Sequence, residues 1–233
     1  MAKSVVVVTR KKLTKIKKQT SVIIPSTKLL NVGVHKIQDV MTCRRYYFWR
    51  WVLNLVPKKI NLNFWYGSII HKGMELAVKQ NPDINEIYDG MRETAHEASE
   101  GYYIDNYDKA EMDLMLEIAY LMIKNYISNF DDEIYKAKMC GTEVKFELKL
   151  ENSPVTITGT VDAYGKIGNV YVLFEYKTGS MITNDYFARL RFDKQLNIYA
   201  YGIKHITGKF PAYTPYLVFR KPQIRCRQNE NQK

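Results

Sequence analysis

Three side chains in the second half of the chain are of types that do chemistry together. Asp162 lies in Thr158-Gly159-Thr160-Val161-Asp162, and Glu175 and Lys177 lie in Phe174-Glu175-Tyr176-Lys177. The hydrophobic pattern around them has period two. Val144, Phe146, Leu148 and Leu150 alternate with Glu143, Lys145, Glu147, Lys149 and Glu151, which predicts a strand with one wet face. Val155–Ala163 reads as a second strand and Gly165–Asn169 as a turn. Val170–Tyr176 is apolar on both sides and reads as a third, central strand. Side chains alternate along a strand, so Glu175 and Lys177 share a face. The turn brings Asp162 beside Glu175.

Two carboxylates held that close repel each other unless a cation lies between them. Their oxygens, with water in the remaining positions, suit Mg²⁺, for which Mn²⁺ can substitute. A lysine beside such an ion can orient or help deprotonate an attacking water and offset charge developing on a phosphate. An ordinary salt-bridge cluster at a strand end is the competing reading of the same three residues. His71, in a predicted helix upstream, is a candidate further metal ligand. Gln195 and Tyr199 stand four apart on one face of a downstream helix. They can donate hydrogen bonds to phosphate oxygens or hold the lysine in place.

The elements that must position these residues follow from periodicity. His35 to about Val56 reads as a helix ending before Pro57, with Tyr47 and Trp51 turned to the core. Phe64–Lys79 and Asp83–Ile104 read as helices. Ala110–Phe130 has the clearest helical period, through Met112, Met115, Leu116, Ala119, Met122 and Ile123. After the meander, Tyr186–His205 is helical and Tyr216–Phe219 is a last short strand. The order is helices, a three-strand meander, then helix and strand, which is an α/β domain whose sheet starts late.

Taken in order, His71, Asp162, Glu175-Tyr176-Lys177 and Gln195-x-x-x-Tyr199 resemble the RecB-like branch of the PD-(D/E)XK nuclease superfamily. Val40–Phe48, with Cys43, is similar to the aromatic first helix of that branch. Glu143, opening its strand about twenty residues before Asp162, also fits. The resemblance implies a restriction-endonuclease-like core, with a mixed sheet flanked by helices and a helical N-terminal region. It implies metal-dependent hydrolysis of DNA phosphodiesters by an exonuclease. His71, Asp162, Glu175 and the Tyr176 backbone carbonyl would bind the metal, Lys177 would be the catalytic lysine, and Gln195 and Tyr199 would flank the site. An endonuclease with the same site, or a DNA-binding module with a dead one, are the alternatives; none of the six motif side chains is replaced, which favours activity. A helicase or recombinase partner, self-association, and roles in repair or recombination also accompany the resemblance. Val161 stands where the superfamily's name has proline. Iron–sulfur members need four cysteines. This chain has three, Cys43, Cys140 and Cys226, so no cluster is expected.

Charge narrows the partner. The net charge is +11 over 233 residues, but it is unevenly placed. Residues 1–60 carry 14 Lys/Arg against one acid, Asp39, whereas residues 83–133 carry three bases against 14 acids. A polyanion reached by the basic termini is the natural partner, and DNA is expected. Residues 1–20 read as a basic arm, with Lys11 and Lys12 as contacts, preceding a single domain over 21–233. Arg44 and Arg45, beside the aromatic run Tyr46–Trp51, and Arg189 and Arg191 are further candidate DNA contacts. The 46% hydrophobic and 25% charged content excludes a disordered or fibrous chain. No apolar run is long enough to span a membrane, no signal peptide is evident, and cysteines are sparse; a cytoplasmic location without disulfides is expected.

Overall fold

In a computed structural model, residues 7–9, 30–79, 82–129 and 136–221 are described. Lys11, Lys12 and Cys226 lie outside them. Two short strands, β1 (Val7–Thr9) and β3 (Leu55–Pro57), pair antiparallel apart from the main sheet. Part of the expected arm is therefore attached to the fold. The main sheet contains β2 (Leu30–Gly33), β4 (Lys138–Lys149), β5 (Val155–Ile167), β6 (Val170–Gly179) and β7 (Tyr216–Arg220). The predicted meander is β4–β5–β6, both pairings antiparallel, and β7 extends it parallel to β6. Residues Val172–Tyr176 of β6 are all buried, as its two-sided apolar sequence predicted.

β5 organises the sheet. One of its edges pairs with β4 over almost its whole length. The other edge is divided. β2 runs parallel to Val155–Thr158, and β6 pairs with Ala163–Ile167. Among the described residues, Gly159–Asp162 therefore have no strand partner on that edge.

Helices cover both faces. α3 (Leu62–Ala77), α4 (Ile84–Glu97) and α5 (Asn106–Asn129) pack Ile69, Ile70, Met74, Met91 and Ile123 against Val172, Phe174 and Tyr176. On the opposite face, α7 (Lys194–Thr207) buries Leu196, Tyr199 and Ile203 against Phe146, Val161 and Leu173. Val172 and Leu173 fall in different cores because adjacent strand residues point to opposite faces. Asn61 and Asp83 cap α3 and α4 by accepting from the backbone N–H groups of Asn63 and Asn85. No helix among the described residues is long and apolar enough to cross a membrane.

Two predicted helices are broken. The segment expected as one helix from His35 to Val56 is α1 (Val34–Thr42), an extended Cys43, α2 (Arg44–Tyr47) and a turn of π-helix over Phe48–Val52, followed by β3. Tyr47 and Trp51 are half-buried and belong to neither core. What holds this shape is Asp39. Its Oδ2 accepts from Trp51 Nε1 at 2.7 Å and from Arg50 Nη1 at 3.1 Å, folding the second piece against the first. The segment expected over Tyr186–His205 splits into α6 (Asn184–Leu190) and α7, because Asp193 caps a new helix at the backbone N–H of Gln195.

Candidate active site

The unpaired stretch of β5 is where the site forms. The β5–β6 ladder ends at Ala163 opposite Phe174. One step further, the Asp162 side chain stands in for the missing rung, and its Oδ2 accepts from the Tyr176 backbone N–H at 2.8 Å. The Tyr176 carbonyl shares that edge of β6, since one residue's N–H and C=O face the same neighbour. Oδ1 of Asp162 lies 3.3 Å from Nδ1 of His71, which α3 carries across the sheet. The His71 ring stands edge-on to the buried Tyr176 ring, with centroids 5.9 Å apart.

A third donor joins them. Thr142 pairs with Ala163 and Val144 with Val161, so the register sets Glu143 directly opposite Asp162. Glu143 has a φ of +49°, which is unusual for a residue with a side chain. One ligand atom each from His71, Glu143 and Asp162 lies within 4.8 Å of the others. The expected ligand set thus differs from this grouping, which has Glu143 where Glu175 was placed. The signal for it was in the sequence, in the register that the meander imposes.

Glu175 faces the other half of the site. It is 1% exposed, and its Oε1 accepts from Lys177 Nζ at 2.6 Å. Its Oε2 is buried without a hydrogen-bond partner. Lys177 also donates to Gln195 Oε1 at 3.2 Å, and Gln195 Nε2 donates to the Tyr199 hydroxyl at 2.7 Å. Two residues outside the expected set complete the cradle. Gln38 on α1 donates to Gln195 Oε1 at 3.3 Å. The Asp193 cap lies 3.7 Å from Lys177 Nζ and accepts from the Tyr216 hydroxyl at 3.2 Å. Asp193, as an N-cap residue type, is a helix-start signal that the reading of one helix over Tyr186–His205 passed over; the Gln38 contact joins residues 157 apart in sequence, and no local pattern reports it.

The electrostatics follow from this packing. Burial pushes the Glu175 carboxyl up to about 7, and the nearby Asp162 charge adds to it, against the pull of Lys177 and His71. Burial alone would lower the His71 pKa, but the hydrogen bond and charge of Asp162, with Glu175 and Glu143, outweigh it and hold it above its usual value. Burial also raises Glu143, and Asp162 raises it further. For Lys177, burial acts downward and is overcome by Glu175, so its pKa is raised and it stays an ammonium. Tyr199 is raised by burial and then by Glu175, and stays a neutral phenol.

All of these groups open on one cleft of about 860 Å³. Residues 31–231 of the chain match the PD-(D/E)XK nuclease superfamily. The chain belongs to that superfamily. Comparison with curated proteins gave no match. The mixed sheet between two helical layers is the restriction-endonuclease-like fold of these nucleases, which act with divalent metals. The donors of this nuclease fit such an ion. Carboxylate oxygens and one imidazole converge, and an orphaned buried oxygen of Glu175 sits beside them.

Four of the expected DNA contacts lie among the described residues. Arg44, Arg45, Arg189 and Arg191 are exposed and line no part of the cleft. Arg189 instead donates to the Asp185 carbonyl within α6. Besides Lys177, the lysines that line the cleft are Lys72 and Lys145, and the exposed Phe64 lines it too. His35, read from sequence as structural, also borders the cleft and pairs with Gln38 at 3.2 Å.

Proposed function

We propose that this nuclease is a Mg²⁺-dependent deoxyribonuclease of the RecB-like branch, acting on DNA ends. The observation that carries the reading is the juxtaposition of the His71–Glu143–Asp162 donor group with a lysine clamped between Glu175 and Gln195. Asp162, Glu143, His71, Glu175 and the Tyr176 carbonyl are the residues that would hold the metal. A bound divalent ion supplies charge to the phosphoryl oxygens and lowers the pKa of a bound water.

The remaining work belongs to side chains. Lys177 is an ammonium, so it serves as a fixed positive charge and hydrogen-bond donor to phosphate oxygen. A base role is disfavoured by its raised pKa. Gln195, itself held by Tyr199 and Gln38, fixes the Nζ direction, which leaves little reorganisation for the transition state. Asp162 is tied to the β6 backbone and so moves with Glu175 and Lys177 as one unit. Lys145, and Lys72 from its ion pair with Glu75, line the cleft and would meet phosphates along it.

The test is incubation with end-labelled linear DNA and with covalently closed circles, in Mg²⁺, Mn²⁺ and EDTA. Linear DNA is expected to be shortened from its ends with either metal and left intact in EDTA. Cleavage that survives EDTA would overturn the metal reading, and equal cutting of closed circles would overturn the exonuclease reading.

A further inference from the structure

The aromatic segment beyond Cys43 is not core, and it is built with more order than a loop requires. Tyr46, Phe48 and Trp49 are 43%, 47% and 43% exposed. Tyr46 and Trp49, three residues apart, are neighbours on the helix surface, and exposed large rings that lie together mark a contact surface. The chain passes through a π-turn at Phe48–Val52, a rare local distortion that is frequent at functional sites. The segment is also strongly cationic. The Arg45 guanidinium lies 4.7 Å from the centroid of the Trp49 ring, and Arg50 lies 4.9 Å from that of Trp51. Arg44 is exposed beside them. The segment itself has no acid, and the nearest one in sequence, Asp39 on α1, is already paired to Arg50. Rings interleaved with Arg44 and Arg45, which no acid opposes among the described residues, complement a partner that offers flat π-faces and negative charge in alternation.

We propose that the Arg44–Trp51 ridge is a stacking platform for single-stranded DNA on its way to the cleft. Unpaired bases have free faces for stacking, whereas a duplex keeps its bases stacked on each other. The ridge therefore selects an unpaired strand. Its position supports this. α1 begins at the cleft wall with Val34 and His35, reaches the lysine cradle through Gln38, and holds the ridge through Asp39. At nine residues α1 is about 13 Å long, so a strand stacked on the ridge is within a few nucleotides of Lys177. The proposal rests on the nuclease reading of the cleft and adds to it the strand form of the substrate.

The experiment is fluorescence anisotropy with the full chain in EDTA, where no turnover occurs. The probes are a labelled oligothymidylate and a duplex of equal length. Trp49→Ala is expected to weaken single-strand binding by at least about fivefold, the lower end of what one base–aromatic stack supplies, while duplex binding holds. Trp49→Phe is expected to restore most of the loss. An unchanged single-strand affinity, or equal losses for both probes, would overturn the platform. Loss of self-association or of a protein contact in Trp49→Ala, with DNA binding intact, would also overturn it and make the ridge a protein interface. Because binding is read without metal, an inactive cleft with a strand-selective ridge would sink the nuclease reading alone.

Discussion

Replacing Glu175 by glutamine is expected to stabilise the metal-free fold at pH 8, although it removes a group placed at the centre of the site. In the fold this carboxyl is pushed from 4.5 to about 7, chiefly by burial. Between those values the folded chain keeps a proton that the unfolded chain has lost. Stability therefore falls as pH rises through that window, and the loss is complete above about pH 7. At about 1.36 kcal/mol per unit, the ionised carboxylate costs up to about 3 kcal/mol. The attraction of Lys177 is already inside that figure, and glutamine mimics the protonated form. Its amide would leave a donor near the orphaned Oε2 position, which offsets part of the gain. The net expectation is about 1–3 kcal/mol, a rise in melting temperature on the order of 5 °C for a chain of this size. Thermal unfolding by circular dichroism in EDTA, at pH 5 and pH 8, measures it. The two proteins are expected to coincide near pH 5 and separate at pH 8. Adding Mn²⁺ is expected to raise the wild type by mass action and to do less for the variant. A variant that is less stable at pH 8, or an equal pH dependence in both proteins, would refute the reasoning.

Other substitutions test separate parts of the site and fold. Lys177→Ala is expected to reduce cleavage by several powers of ten with DNA affinity nearly intact, since one cation among 35 adds little to a delocalised phosphate footprint; a rate within tenfold of wild type would return Lys177 to a salt-bridge role. Calorimetric titration with Mn²⁺ is expected to lose most of its heat in Asp162→Ala and to show weakened binding in Glu143→Gln, and unchanged binding by the second would remove Glu143 from the donor set. Gly202→Ala is expected to lower stability by about 1–3 kcal/mol, because its new methyl would lie 2.7 Å from the Phe146 ring, which Gly159 already confines from β5. Denaturant titration at fixed pH reads that change, and a neutral result would show that the ring is free to move.

What the sequence revealed depended on how local the determining interactions are. The meander was legible because Val144, Phe146 and Leu148 alternate with charged residues and Gly168, with φ +58°, turns the chain. β6 was legible because apolar residues on both of its sides require cover on both faces. The convergence of Asp162, Glu175 and Lys177 followed from that register, but at mid-strand, because β5 runs on to Ile167 and β6 to Gly179. The break at Cys43 was not legible. No glycine or proline marks it, and the cause is the grip of Asp39 on Trp51, twelve residues away. The spacing of Tyr47 and Trp51 fits a core stripe as well as a surface ridge, because helical period reports which residues share a face and not what that face meets. Glu143 was visible as a residue; its position opposite Asp162 became a ligand geometry only once β4 and β5 were in register.

The bond from the Tyr176 N–H to Asp162 has a consequence for how the protein assembles. A side chain here closes the ladder where main chain does not, so the same contact that orients the carboxylate also reports the alignment of two strands. A slip of β6 by one residue would turn Glu175 and Lys177 to the opposite face and leave Asp162 without its donor. The hydrophobic layers would be inverted along with them. Because Val172, Leu173 and Phe174 make β6 apolar toward both faces, this side-chain bond penalises such a slip where the apolar pattern alone would not. A chain in the slipped register would separate Asp162 from Glu175 and Lys177 and is expected to be inactive.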